Sequence, residues 1–265
     1  MNRILIIIFS ALFCSCKLQQ GTELVWSDEF SQDGAPDSRK WDYDLGDGCP
    51  DNCGWGNNEL QWYTNDAKNV RVEGGVLIIE AHQDSTGNKA FSSAKIVSRN
   101  KGDWRYGRFE VRAKLPRGVG TWPAIWMLPT DWKYGGWPTS GEIDIMEHVG
   151  YDPGVIHGTI HTEKYNHIKQ TQKEGKINVP DAQDEFHVYA VNWTEDKMDF
   201  YVDDSLYHTV TRDPADDYRG WPFDQRFYLI MNIAVGGNWG GAKGVDPDIW
   251  PQRMEIDYVR VYNGS

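Results

Sequence analysis

Short alternations of apolar and polar residues recur along the 265-residue chain, and Gly, Pro, Asn or Asp interrupt them every few positions. No stretch carries a long helical pattern. "NVRVEGGVLIIEAH" contains two such runs about a turn at Glu73-Gly74-Gly75, the composition of a tight hairpin. "YGRFEVRAKL" alternates large apolar with charged residues, and "VIHGTIHT", "FHVYAVNW", "MDFYVDDSLYHTV", "RFYLIMNIAV" and "MEIDYVRVY" follow the same logic. Asp203-Asp204 reads as a second hairpin turn. So many strands, with no helices to cover a parallel sheet, predict an all-β, antiparallel sandwich. The length suits one large β domain, and no internal repeat or low-complexity linker divides it. The polar segment from Lys164 to Gln183 reads as a long loop.

The first residues, "MNRILIIIFSALFCSC", are expected to lie outside the fold. Arg3 supplies a basic start and Ile4 to Phe13 an apolar run of signal-peptide length, too short for a membrane span of about 20 residues. Its end, "FCSC", resembles a bacterial lipobox, with small Ser15 before Cys16. The expected organisation is a signal peptide over 1–15, a short tether over 16–22 and a catalytic domain over 23–265. Lipidation at Cys16 would make the protein an outer-membrane lipoprotein of the bacterial cell envelope; the alternative is simple secretion. Two further cysteines, Cys49 and Cys53, are too few for a metal site. They are either a loop staple or two free thiols, and outside the cytoplasm a disulfide is allowed.

Lys and Arg number 27 against 39 Asp and Glu, a formal charge of −12. That balance argues against nucleic acid and anionic membrane as partners, so membrane contact is expected only through the lipid. The 13 Trp and 13 Tyr exceed what a chain with 40% hydrophobic residues needs for its core. Flat apolar faces with a polar edge suit sugar rings.

"GEIDIMEHVG" carries Glu142, Asp144 and Glu147 on a run that reads as a strand. Strand side chains alternate faces, so Glu142 and Asp144 share one and Glu147 should point the other way, into the core. A lone buried carboxylate is costly. A β-bulge at Ile145-Met146 inserts one residue and returns Glu147 to the face of the other two, leaving Ile143 toward the core. Three aligned acids suggest glycosidic chemistry, in which two carboxyls flank the scissile bond and a third adjusts their proton affinities. A row along a strand is poorly shaped to wrap calcium.

The same stretch resembles the catalytic signature of glycoside hydrolase family 16, in its laminarinase-like branch. "LVWSDEF", "GWGNNELQWYT", "YGRFEVRAKLP", "GTWPAIWMLP", "GTIHT", "MNIAVGGNW" and "IDYVRVY" extend the resemblance over residues 23–263. It implies a β-jelly roll with a cleft across the concave sheet, and an endo-acting retaining enzyme that cleaves β-1,3 bonds, or β-1,4 bonds beside them, in laminarin or mixed-linkage glucan. The expected partner is thus a β-glucan and the expected state a monomer. By resemblance Glu142 is the nucleophile, Glu147 the acid/base and Asp144 the assisting acid; the residues alone do not divide the roles. The resemblance makes Trp122 and Trp126 walls for sugar rings, His161 a cleft histidine and Asn58 a hydrogen-bonding group on the non-reducing side. Trp132 and Trp137 are stacking edges or loop pins, and Trp239, between glycines, is a further candidate. His157, Thr159 and His161 share one strand face, with the two His too far apart to chelate zinc. No cofactor is expected in catalysis. A structural calcium away from the cleft would fall at Glu29, Gly75 and Asp257, unless Asp257 only pairs with a neighbouring strand. The competing readings are a non-catalytic glucan-binding protein, a transglycosylase and a hydrolase of marine galactans on the same fold.

Overall fold

A computed structural model describes residues 23–263, and among them are eighteen strands, numbered along the chain, sixteen of which build two layers. One eight-stranded sheet runs β16 (Ser205–Thr211), β15 (Lys197–Val202), β14 (His187–Trp193), β9 (Gly107–Lys114), β18 (Gln252–Tyr262), β5 (Val76–Ala81) and β4 (Val70–Glu73), with β1 (Leu24–Asp28) on β18. The other runs β13 (Lys173–Asn178), β12 (Val155–His161), β11 (Glu142–Glu147), β10 (Thr121–Pro129), β17 (Phe227–Val235), β7 (Lys95–Val97) and β2 (Asp42–Tyr43), with β8 (Asp103–Trp104) on β17. Both are antiparallel, as expected. A short parallel pair, β3 (Gln61–Tyr63) with β6 (Phe91–Ser93), is an addition to that expectation.

Alternation decides which side chains face inward. In β9, Phe109, Val111 and Ala113 are buried while Arg108, Glu110, Arg112 and Lys114 are not. They join one core with Ile125, Met127, Ile143, Ile160, Leu229 and Met231 from the opposite sheet. Truncating a fully buried Ile or Leu here to Ala costs about 2–5 kcal/mol. Both hairpins form where the turn residues stand: Glu73 pairs with Val76 around Gly74 and Gly75, both at positive φ (62° and 83°), and Val202 pairs with Ser205.

The segment Lys164–Gln183 corrects the loop reading. It contains a 3₁₀ turn, His167–Lys169, and β13, which pairs with β12 from Val155↔Asn178 to Ile160↔Lys173. "KEGKIN" is an edge strand with polar groups on both faces, so it lacks the apolar alternation by which strands are recognised. Cys49 and Cys53 form a disulfide, which resolves the two alternatives in favour of the staple. Cys16 and the signal segment lie outside the described residues.

Candidate active site

β11 is bulged where its acids require it. Asp144 stands opposite Trp126 and Met146 opposite Ile125 on β10, two steps against one. On β12, Asp144 faces Thr159 and Glu147 faces His157, three steps against two. Ile145 and Met146 are both sealed in the core, as is Ile143, and Glu142, Asp144 and Glu147 emerge on the other face. His161 lies opposite Glu142, so β12 sets His161, Thr159 and His157 beside the three acids in turn.

Each outer glutamate receives an indole N–H. Trp122 Nε1 donates to Glu147 Oε1 at 3.0 Å and Trp137 Nε1 to Glu142 Oε2 at 3.0 Å. His161 Nε2 lies 3.4 Å from Asp144 Oδ2 and 3.9 Å from Glu142 Oε1. Burial is the main force on every member of the cluster. It raises Glu142 to about 8, with the nearby Glu147 charge adding to it, and raises Glu147 to about 7 against the Trp122 hydrogen bond. Asp144, squeezed between Glu142 and Glu147, is pushed well above the usual carboxylate range, again chiefly by burial. Burial takes His161 down to about 4, so its imidazole is neutral at pH 7. Three carboxylates this close do not all ionise at neutral pH; they hold shared protons, and the division among them follows the surrounding charges.

Those charges differ at the two ends. Lys95 on β7, nearly buried, holds its ammonium 4.1 Å from the Trp55 ring, 5.0 Å from the Trp126 ring and 3.6 Å from Asp44. Its charge favours the ionised form of Glu142. On the far side of β11, Glu174 of β13 favours the protonated form of Glu147. Lys95 and Glu174 thus pull toward an anionic Glu142 and a protonated Glu147, against burial, which leaves Glu142 at about 8 and Glu147 at about 7, so the cluster titrates as one coupled set.

The other candidates converge on the same face. Trp126 Nε1 donates to Asn232 Oδ1 at 2.7 Å. Asn58, at φ 55°, donates from its amide to Asn238 Oδ1 at 2.8 Å and so links its loop to the one carrying Trp239. Trp239 meets Trp122 edge-on, with centroids 5.6 Å apart. That approach needs glycine: a Cβ at Gly240 would lie 2.7 Å from Trp122 Cβ. Trp137, 36% exposed, forms a rim with His167 at 5.3 Å. Trp132 stays in the turn before it, its carbonyl accepting from Gly135. Lys95, Asn232, Trp55 and Glu174 escaped the sequence reading. The register Glu147↔Ala124↔Asn232↔Lys95 across four strands brings in Asn232 and Lys95, with Trp55 against the Lys95 ammonium, and the pairing of β13 with β12 brings in Glu174.

The residues expected to hold calcium do not fit that ion as they stand. Both Glu29 oxygens accept from Arg260, at 2.9 and 2.8 Å, and Asp257 Oδ2 accepts from Arg112 of neighbouring β9 at 2.5 Å. Gly75 occupies the hairpin turn. Each carboxylate is thus neutralised by a guanidinium.

An all-β sandwich with paired, partly buried glutamates in a tryptophan-walled cleft defines a class, the glycoside hydrolases that work through two carboxyl groups. Glycosyl hydrolases family 16 matches residues 55–260, and the chain belongs to that family. It is 57% identical to a β-glucanase of Rhodothermus marinus over 247 residues, covering 91% of this chain and 85% of the relative. The crystal structure of the laminarinase from Rhodothermus marinus superposes with a TM-score of 0.88 at 56% identity, covering 92% of this chain and 98% of that one. A variant of SCLam, a non-specific endo-β-1,3(4)-glucanase crystallised with 1,3-β-D-cellotriosyl-glucose, gives 0.87 at 47% identity, covering 92% and 95%. The fold is the β-jelly-roll sandwich of these laminarinases.

Proposed function

We propose that this protein is an endo-acting, retaining β-glucanase that hydrolyses β-1,3 bonds, or β-1,4 bonds adjacent to them. One observation carries the reading: the bulge turns Glu142, Asp144 and Glu147 to one cleft face, with a cation toward Glu142 and an anion toward Glu147. The activities printed for the Rhodothermus marinus and SCLam relatives support the substrate class.

In the first step the Glu142 carboxylate attacks the anomeric carbon while Glu147 gives its proton to the departing glycosidic oxygen. The C–O bond breaks and a glycosyl ester forms on Glu142. Asp144 takes up a shared proton or releases it as the charge on Glu142 changes. In the second step Glu147, now a carboxylate, removes a proton from water, which attacks the same carbon and frees Glu142 with net retention. Trp126, Asn58 and Lys95 hold the glycone side, and Trp122 and Trp239 the side of Glu147. Incubation with laminarin, lichenan and barley glucan should release reducing oligosaccharides of mixed length. No release from any of the three would leave a glucan-binding protein as the better reading.

Cys16, by its lipobox-like setting, is the anchor to the envelope. Cys16→Ala should move the expressed protein from the detergent phase to the aqueous phase or leave it unprocessed. Equal partitioning of both forms would remove the anchor from this account.

A further inference from the structure

The acid side of the cleft contains a pair, His157 and Glu174, that makes and breaks no bond in the double displacement. His157 is the direct cross-strand neighbour of Glu147 and is only 3% exposed. Its Nδ1 lies 2.5 Å from Glu174 Oε1, and an ionised carboxylate only accepts, so the imidazole donates there. Its Nε2 is sealed from solvent and has no hydrogen-bond partner among the described residues. The same ring meets Trp239 at 4.8 Å and 87°. Trp239 packs on Trp122, and Trp122 donates to Glu147. Glu174, His157, Trp239, Trp122 and Glu147 thus form a continuous set of contacts from the edge strand to the acid.

We propose that Glu174, locked in place by His157, is a positioning residue that keeps Glu147 protonated for departure of the leaving sugar. This rests on the retaining-glucanase reading above. Glu174 does not touch the reacting atoms; it acts through its charge and through the aromatic contacts that hold Trp122. The hydrogen bond from His157 keeps Glu174 itself ionised, below the ordinary range for a glutamate. The other titratable groups around Glu147 are Glu142 and Asp144 on its own strand, His157 on β12, Lys176 on β13 and Tyr151 beside Trp239; β10 offers the non-titrating Trp122. Lys176, 3.7 Å from Glu174 Oε1 and more than half exposed, offsets part of the Glu174 charge.

The test is Glu174→Gln, which retains an acceptor for His157 and removes the charge. The pH dependence of kcat/KM is measured on laminarin and on 2,4-dinitrophenyl β-laminaribioside, whose leaving group needs no proton. On laminarin the alkaline limb reports loss of the Glu147 proton and should move down by about half a pH unit or more, as expected for removal of a nearby negative charge. Rates on the dinitrophenyl substrate at the same pH should change less than twofold. Lys176→Gln should move the laminarin limb the opposite way, upward. Melting temperatures of both variants accompany the profiles. An unmoved limb on laminarin, or an equal loss on both substrates at every pH, would overturn the proposal and leave the pair a structural contact. Failure of the unaltered protein to cleave laminarin would instead remove the functional reading, and this proposal with it.

Discussion

Glu142→Gln and Glu147→Gln should each leave the sandwich folded and remove nearly all turnover of laminarin. Loss of a general acid typically costs about 10²–10⁴-fold, and loss of the nucleophile at least as much. The two are separable with azide. A Glu147 variant still forms the glycosyl ester from a dinitrophenyl substrate, and azide then attacks it to give the β-glycosyl azide. A Glu142 variant forms no ester, so azide attacks the substrate directly and gives the α product. An α-glycosyl azide from the Glu147 variant would exchange the two roles. Stability carries a second signature. Burial raises the whole cluster, Glu142 to about 8, Glu147 to about 7 and Asp144 well above the usual carboxylate range, so between the ordinary glutamate value of 4.5 and about 8 the unfolded chain has released protons that the folded cluster retains. The wild type therefore loses stability as pH rises through that window, and Glu142→Gln should lose less. A melting curve measured at pH 5 and pH 8 checks the sign, and an equal or larger drop in the variant would contradict it.

Inserting one residue after Met146 should be as damaging as either substitution, for a different reason. The bulge already places Ile145 and Met146 together in the core, and one more residue sends Glu147 in after them. There it would meet Ile125 and Ile156 instead of the Trp122 N–H, and an unpaired buried carboxylate costs several kcal/mol. Deleting Met146 is the milder change. It restores plain alternation, so the three acids still share a face, although the lost core side chain costs about 2–5 kcal/mol. The expected results are a folded deletion variant with reduced but measurable activity and an inactive, less stable insertion variant. Melting temperature and laminarin turnover are measured on both. An active insertion variant beside a folded, dead deletion variant would mean that Glu147 reaches the cleft by another route than this bulge.

How much of this was legible in the sequence follows from how far apart the interacting residues lie. The Gly74-Gly75 and Asp203-Asp204 hairpins, the inward face of β9 and the out-of-step Glu147 are matters of neighbours along the chain. Backbone preference and period-two alternation determine them before any tertiary contact forms. The acids, their bulge, and the tryptophans of "GTWPAIWMLP" and "GGNWGG" therefore stood out from residue order and family resemblance. Tertiary structure alone decided what surrounds them. Lys95 reaches the cleft because β7 pairs with β17, whose Asn232 lies 137 positions further along the chain. Glu174 reaches Glu147 only because polar "KEGKIN" finds an edge at β12. The carboxylates of Glu29 and Asp257 pair with Arg260 and Arg112 rather than lying free for an ion, through side-chain geometry that no local pattern encodes. Cross-strand partners are chosen by the global register, and the proton affinities of the three acids depend on burial and on charges that only that register brings close.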